Sequence, residues 1–420
     1  MSHSASESRA TLADYRTALT APGSRGPVIA SLLARLPIAM VGISALLYVQ
    51  RETGSFATAG LISAAMLIGV ALGAVLQGRL IDRFGPTKPL LITVAVFSVG
   101  IAALVFAIES RMPTWVLLVP AAIAGMAEPS VGSASRALWT RLLPPGPARN
   151  AAFSYEAISM EVFFVLGPGF AGLLVAAPWA GTGMIIGSGI QVLGTILFAL
   201  SPKVRSWKSA EKTSRSMLGA LASPGMRTLA LAVLGFGIVI GFVEVAVPAS
   251  ATNAGFPAMG GLLLSAWSIS SVAFGVAYSM RPWPTPIGQR LPVLLGVFAV
   301  LVALLALPSN LWTLALGMLF AGALITPQSA THSTMIEVVA PKGTAAEAFG
   351  WVLTAVTLGL AFGQSISGYL VEHHGPGSAF IAAGVAGLLV AVALWKLRGT
   401  VRPFGPQAEA SDTELVGAAA

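Results

Sequence analysis

Twelve stretches of about twenty mostly apolar residues, separated by short loops, leave this chain few folds to adopt. A run of that length crosses the hydrocarbon core of a bilayer as a helix. In lipid, every backbone polar group must be satisfied within the segment, which a helix achieves alone. The runs lie near 27–49, 57–78, 89–108, 114–138, 150–176 and 180–200, then near 226–249, 258–280, 291–307, 312–334, 344–370 and 378–397. Of the 420 residues 55% are hydrophobic and only 10% are charged. That is too little charge to cover a soluble protein of this size.

The formal net charge of +8 does not point to nucleic acid, because the basic residues sit in the loops between apolar runs. There is no cysteine, which excludes disulfides, thiolate metal sites and thiol catalysis. About 26 polar residues, Glu7 and Asp14 among them, precede the first run, unlike a signal peptide. The first span is expected to be retained.

Orientation follows from Lys and Arg. With an even span count and a cytoplasmic start, the inner segments carry Arg9, Arg16, Arg25, Arg79, Arg83, Lys88, Arg141, Arg149, the run Lys203 to Arg227, Arg281, Arg290, Lys342, Lys396, Arg398 and Arg402. The outer segments carry Arg51 and Arg111. The expectation is a multi-pass protein of the cell membrane with both termini cytoplasmic.

The halves repeat one another. Ala18-Leu19, Pro22-Gly23 and Arg25 match Ala220-Leu221, Pro224-Gly225 and Arg227, displaced by 202, as are Gly73 and Arg79 from Gly275 and Arg281. Trp115 and Gly125 match Trp312 and Gly322 at 197, and Gly167, Gly172, Leu174 and Val175 match Gly363, Gly368, Leu370 and Val371 at 196. The displacement changes at a loop, as duplication predicts. Six spans per half make the repeats parallel about an axis along the membrane normal. The predicted organisation is a tail 1–26, a six-helix bundle 27–200, a basic linker 201–225, a second bundle 226–398 and a tail 399–420. Within the first tail, Leu12 to Leu19 reads either as an amphipathic helix on the inner leaflet or as unstructured chain.

After the second span the sequence reads Gly78-Arg79-Leu80-Ile81-Asp82-Arg83-Phe84-Gly85-Pro86-Thr87-Lys88. Gly78 permits close helix packing and Gly85 a tight turn. Asp82 suits the positive N-terminal end of a neighbouring helix. This loop resembles the signature between spans two and three of the major facilitator superfamily, with Pro86 where a basic residue is usual. The resemblance extends over about 27–398, and Ala34-Arg35-Leu36-Pro37 is similar to the start of span one in actinobacterial efflux members. It implies an all-α membrane fold of two six-helix bundles rocking about a central site lined by spans one, four, seven and ten. It also implies a cytoplasmic latch formed by Gly78, Asp82, Arg83, Gly85 and Lys88 against span eleven. The corresponding second-half loop, Arg281-Pro282-Trp283-Pro284-Thr285-Pro286, lacks the acidic residue. Gly167-Pro168-Gly169-Phe170-Ala171-Gly172 resembles a degraded antiporter motif, and reads equally as Gly/Pro packing. No Arg lies between Thr114 and Glu128, where family members place a proton-relay Arg.

Ionisable residues inside spans are candidates for function by default. Glu161 lies roughly 16 Å into span five and Glu128 in the middle of span four. Each is a proton-coupling candidate, since hydrocarbon accepts a neutral carboxyl and water an ionised one. The alternative is a structural hydrogen bond or ion pair between helices. Arg35, Arg136 and Glu156 form a candidate inner charge network, although Arg near a helix end also snorkels to headgroups. Glu244 reads as an outer-gate or water-reaching group and His332 as a packing residue. Gln328, Gln364, Tyr155 and Trp351 are substrate-cavity candidates, as, less strongly, are Tyr48, Gln77, Trp139, Trp267 and Tyr278. No P-loop, triad or zinc pattern is present, so neither an enzyme nor a cofactor or metal is expected. The partners expected are a small-molecule substrate, protons and the bilayer, for a monomer. The leading function is a proton-coupled exporter of small organic molecules, with sugar or metabolite transport second and a non-transporting receptor or scaffold third.

Overall fold

A computed structural model describes residues 11–207, 219–279, 286–341 and 345–401; the side chains of Asp82, Val276, Ala277, Ser279, Ala345 and Ala346 are not described. The ends of both tails, the centre of the basic linker, the second-half loop from Arg281 to Thr285, Lys342 and the Asp82 side chain therefore lie outside the described residues.

Twelve helical spans carry the described chain, and it contains no strand among the described residues. In order, α1 (Leu12–Leu19) precedes a first span split into α2 (Arg25–Arg35) and α3 (Ile38–Thr53). Then come α4 (Phe56–Phe84), α5 (Thr87–Glu109), a fourth span split into α6 (Thr114–Met126) and α7 (Val131–Leu142), α8 (Pro147–Leu174) and α9 (Thr182–Leu200). Short α10 (Pro202–Arg205) leads into the second half: α11 (Pro224–Asn253), α12 (Pro257–Ser279), α13 (Ile287–Leu304), a tenth span split into α14 (Leu311–Gly322) and α15 (Ile325–Val339), α16 (Ala345–His374) and α17 (Pro376–Leu397). The spans run a few residues beyond most of the apolar stretches, because capping residues and snorkelling ends extend them.

The helix ends follow local chemistry. Ser55 caps α4 by accepting from the Thr58 N–H, and Asn310 caps α14 by accepting from the Thr313 N–H. At the end of α3, Gly54 takes a left-handed conformation. Arg51 gives hydrogen bonds to the carbonyls of Val175 and Ala177 (2.7 and 2.9 Å), the orphan acceptors past α8. The α1 helix forms, closed by a capping box between Thr11 and Asp14, and the bonds from the Thr11 hydroxyl and N–H hold the Asp14 carboxyl below the usual carboxylate range. Rather than lying free, α1 buries Ala18 in a cluster with Trp139, Leu143 and Ala152.

The duplication is visible in the contacts. A methyl at Gly167 would strike Ala39 and Met40 of the first span, and one at Gly363 would strike Gly241 and Phe242 of the seventh. Trp115 and Trp312, at matching positions, are both exposed, as interfacial aromatics are.

The fourth and tenth spans break at equivalent places, and each break is stitched by a neighbour. Gln77 of α4 donates to the carbonyls of Met126 (3.1 Å) and Glu128 (2.8 Å) and accepts from the Ser130 N–H (2.9 Å). Ser271 of α12 accepts from the Thr326 N–H (3.1 Å) and bonds the Thr326 hydroxyl (2.7 Å). Broken backbone at membrane depth needs such partners. Gln77, read from sequence as a residue that could touch substrate, is instead 2% exposed and structural.

Candidate functional site

Two seams join the halves at the end of the molecule remote from the termini. In one, α8 meets α12: Gly172 packs on Ala258 and Gly261, the Pro168 carbonyl lies against Gly261, and Ser265 donates to the Val165 carbonyl (2.6 Å). In the other, α4 meets α16: Gly368 packs on Phe56 and Ala57, and Gly60 on the Gln364 carbonyl. Offsets of 196 and 202 carry one seam onto the other, with Gly172 going to Gly368 and Ala258 to Phe56. Gly167, Pro168 and Gly172 thus act as close-packing points on two neighbours.

Towards the termini the spans present a different surface. The exposed side of α6 carries Trp115, Val119, Ile123 and Met126, and that of α14 carries Trp312, Leu316, Leu319 and Phe320. Past the breaks no large apolar side chain is exposed on α7 or α15. Their exposed positions include Ser133, Arg136 and Thr140, and Ser329, Ser333, Thr334 and Glu337. A helix face of Ser, Thr, Arg and Glu suits water and not lipid tails. The half of the molecule below the seams therefore offers two polar faces, one from each repeat.

Glu161 sits where seam and polar region meet. Val165, Pro168 and Gly172, which contact α12, lie four, seven and eleven residues beyond it, so all share one stripe of α8. The Glu161 side chain is half-buried, with no hydrogen bond or ion pair among the described residues. Glu128, by contrast, is turned into the first half, where Gln191 of α9 donates to its carboxylate (3.3 Å). The two proton-coupling candidates are thus separate.

Of the three residues read as an inner charge network, two come together. Arg35 and Glu156 form an ion pair, both side chains 2% exposed. The Arg35 guanidinium also donates to the Glu156 carbonyl (3.1 Å) and lies over the Phe163 ring (5.8 Å). Ser135 (2.6 Å) and Trp139 (2.9 Å) donate to the other carboxylate oxygen. Arg35 does not snorkel. Arg136 stays outside this cluster, exposed on the polar face of α7. Trp139, read from sequence as a residue that could touch substrate, is instead 2% exposed and serves the Glu156 carboxylate.

In the signature loop, Gly85 has φ 75°, as a tight turn requires. Gly78 does not pack against a helix as expected: a methyl there would meet nothing within 4 Å. Arg83 lies over the Phe84 ring (5.0 Å), and Lys88 opens the first turn of α5.

Among the cavity candidates, Gln364 donates to Glu244 (2.6 Å), tying α16 to α11. Glu244, read as an outer-gate or water-reaching group, is thus half-buried with a partner on a neighbouring helix. Gln328 is fully buried, and neither its amide oxygen nor its nitrogen has a partner among the described residues. One turn on, His332 packs edge-on against Phe236. Tyr155 and Trp351 are half-buried. The described residues hold no cluster of three metal-binding side chains.

The family model described as Major Facilitator Superfamily matches residues 28–292 and 285–416. A D-xylose transporter of Levilactobacillus brevis is 30% identical over 167 residues, 38% of this chain and 35% of that protein. The match thus spans about a third of that relative's length. Among solved structures, a mutant of the nucleoside transporter NupG superposes with a TM-score of 0.72 at 15% identity, over 88% of this chain and 99% of that one. A mutant of the peptide transporter POT gives 0.69 at 13%, over 90% and 94%. A bacterial homolog of the human lysosomal transporter Spinster, inward-facing and unoccupied, gives 0.66 at 14%, over 94% and 100%.

Proposed function

The chain belongs to the Major Facilitator Superfamily, and from that premise we propose that this transporter of a small molecule is a proton-coupled exporter of organic compounds, with Glu161 as its proton carrier. One observation carries the reading. Glu161 stands on the stripe of α8 that meets the opposite half, one turn below the closed seam, with no partner among the described residues. A carboxyl there is uncovered when the face near the termini is open and meets α12 when it closes. Its protonation thereby follows the access state. The positive-inside asymmetry supports termini in the cytoplasm of a cell-membrane protein. The polar region then opens inward, and the latch of Gly78, Asp82, Arg83, Gly85 and Lys88 engages only in the outward-open state. The degraded antiporter motif supports export.

The test compares wild type, Glu161→Gln and empty vector in an efflux-deficient host across antibiotics, dyes and sugars. Proton flux in proteoliposomes then follows for any compound found. The expected result is tolerance from wild type alone, with compound-driven proton flux absent in Glu161→Gln. Proton flux surviving in that variant removes Glu161 from the role.

A second reading, transport of a sugar or metabolite, is favoured by Gln328. A fully buried amide with no partner suits a hydroxylated substrate, and the partial match to a D-xylose transporter agrees. Sugar-dependent growth that Gln328→Leu abolishes would select it.

A further inference from the structure

The two seams are related by the repeat, yet they end differently. At the last turn of the α8–α12 seam the residues are Ala176 and Pro257, and neither side chain forms a hydrogen bond. At the equivalent positions of the α4–α16 seam stand Glu372 and Ser55. The Glu372 carboxylate accepts from the Ser55 hydroxyl (2.5 Å) and from the Ala57 N–H (2.9 Å), while the Thr58 N–H bonds the Ser55 oxygen (3.0 Å). A carboxylate of the second half therefore occupies the N-terminal end of a helix of the first. It takes up an orphan donor at the positive pole of a 29-residue helix. One turn further in, Gly60 and Gly368 bring the two backbones together, and Ala64, next on the same stripe of α4, is buried.

We infer that Glu372 is the latch of the gate remote from the termini, a gating residue that sets the fraction of molecules holding that face closed. The inference rests on alternating access, but on no particular substrate, direction or coupling ion. Opening this face separates α4 from α16 and breaks both bonds to Glu372, so the carboxylate stabilises the closed state alone. The other seam has no such cap, so the latch acts from one side. Neighbouring His373 is stacked on Tyr369 and bonded to its own helix, so it acts on the Glu372 carboxylate through its charge and not through a hydrogen bond.

The absence of cysteine makes the test direct. Ala64→Cys places one thiol beneath the latch, and Ser333→Cys one on the polar face of α15. Labelling rates with N-ethylmaleimide in membranes are compared with and without Glu372→Ala, Glu372→Gln and Ser55→Ala. Loss of the carboxylate is expected to raise labelling at Ala64→Cys by about three- to tenfold, the scale of a lost cap, and to lower it at Ser333→Cys. Glu372→Gln and Ser55→Ala should shift both rates less, in the same direction. Should Glu372→Ala fail to elute as a folded species, these milder variants decide the matter. Unchanged rates in folded variants overturn the latch. So does a rise at both reporters, which would mean a loosened fold. The assay needs no substrate, so its outcome is separable from that of the Glu161→Gln experiment.

Discussion

Glu156 holds together more of the first half than its place near a helix end suggests. Its two oxygens are shared among Arg35, Ser135 and Trp139, from the first and fourth spans. Removing one partner of such a pair leaves a buried charge alone. Glu156→Ala is therefore expected to cost about 3–5 kcal/mol, seen as a lowered unfolding temperature of the purified protein. Replacing both, Arg35→Met with Glu156→Leu, should recover most of the loss, because no charge remains to be desolvated. Arg136→Ala, on the exposed face, should stay within about 0.5 kcal/mol of wild type. The sequence brought these three residues to attention as ionisable groups at helix ends. It could not separate them, since the difference lies in which helix face each occupies. Trp139 fixes that face for Glu156 only when the fourth and fifth spans are seen packed. Glu161 is a similar case: its position along α8 was legible, but its orientation towards the other half became clear from the contacts of Val165, Pro168 and Gly172.

At the scale of elements, the repeat was readable because small residues at close contacts tolerate no change of size. Gly167 and Gly363 kept their places after duplication for that reason, and so did Gly172 and Gly368. Gly261→Val should therefore prevent closure of the α8–α12 seam, because its side chain would overlap the Pro168 carbonyl and Gly172. Substrate transport is expected to fall by more than about tenfold at matched membrane expression. Gly78→Ala meets nothing in this conformation, so folding stability should be unchanged, and any loss of activity would report on the state in which the latch engages. The broken spans were harder to read. Pro129 marks one break and Pro327, which has no N–H for the Ala323 carbonyl, the other, but an amide such as Gln77 in an apolar run does not announce the backbone it serves. Gln77→Leu strands two carbonyls and one N–H at membrane depth. It should destabilise the fold by about 1–3 kcal/mol for each group left unpaired, measured by thermal unfolding in detergent.

The whole molecule combines two seams that close one end with two polar helix faces that open towards the other. A carrier of this design must pass between states of nearly equal free energy, so neither end can be held by much more than a few kcal/mol. The seams fit that demand: they bring backbone against backbone through glycines and add few hydrogen bonds between the halves. The strong polar ties, Arg35–Glu156 and Gln77 to the fourth-span break, lie inside the first half and need not change as the halves rock. With Arg51 and Arg111 at one end against the many basic residues at the other, the latter end is expected to face the cytoplasm. A reporter that is active only in the cytoplasm should accordingly work when fused after Ala420 and fail when inserted at Met112. Activity at Met112 would invert the topology, turn the polar faces outward, and make the closed seams an inner gate. In the expected orientation, Ser333→Cys should react with an impermeant thiol reagent in inside-out vesicles and resist it in intact cells. Opening the opposite gate should not relieve that protection in cells and should slow the reaction in the vesicles, because the polar faces then close over Ser333.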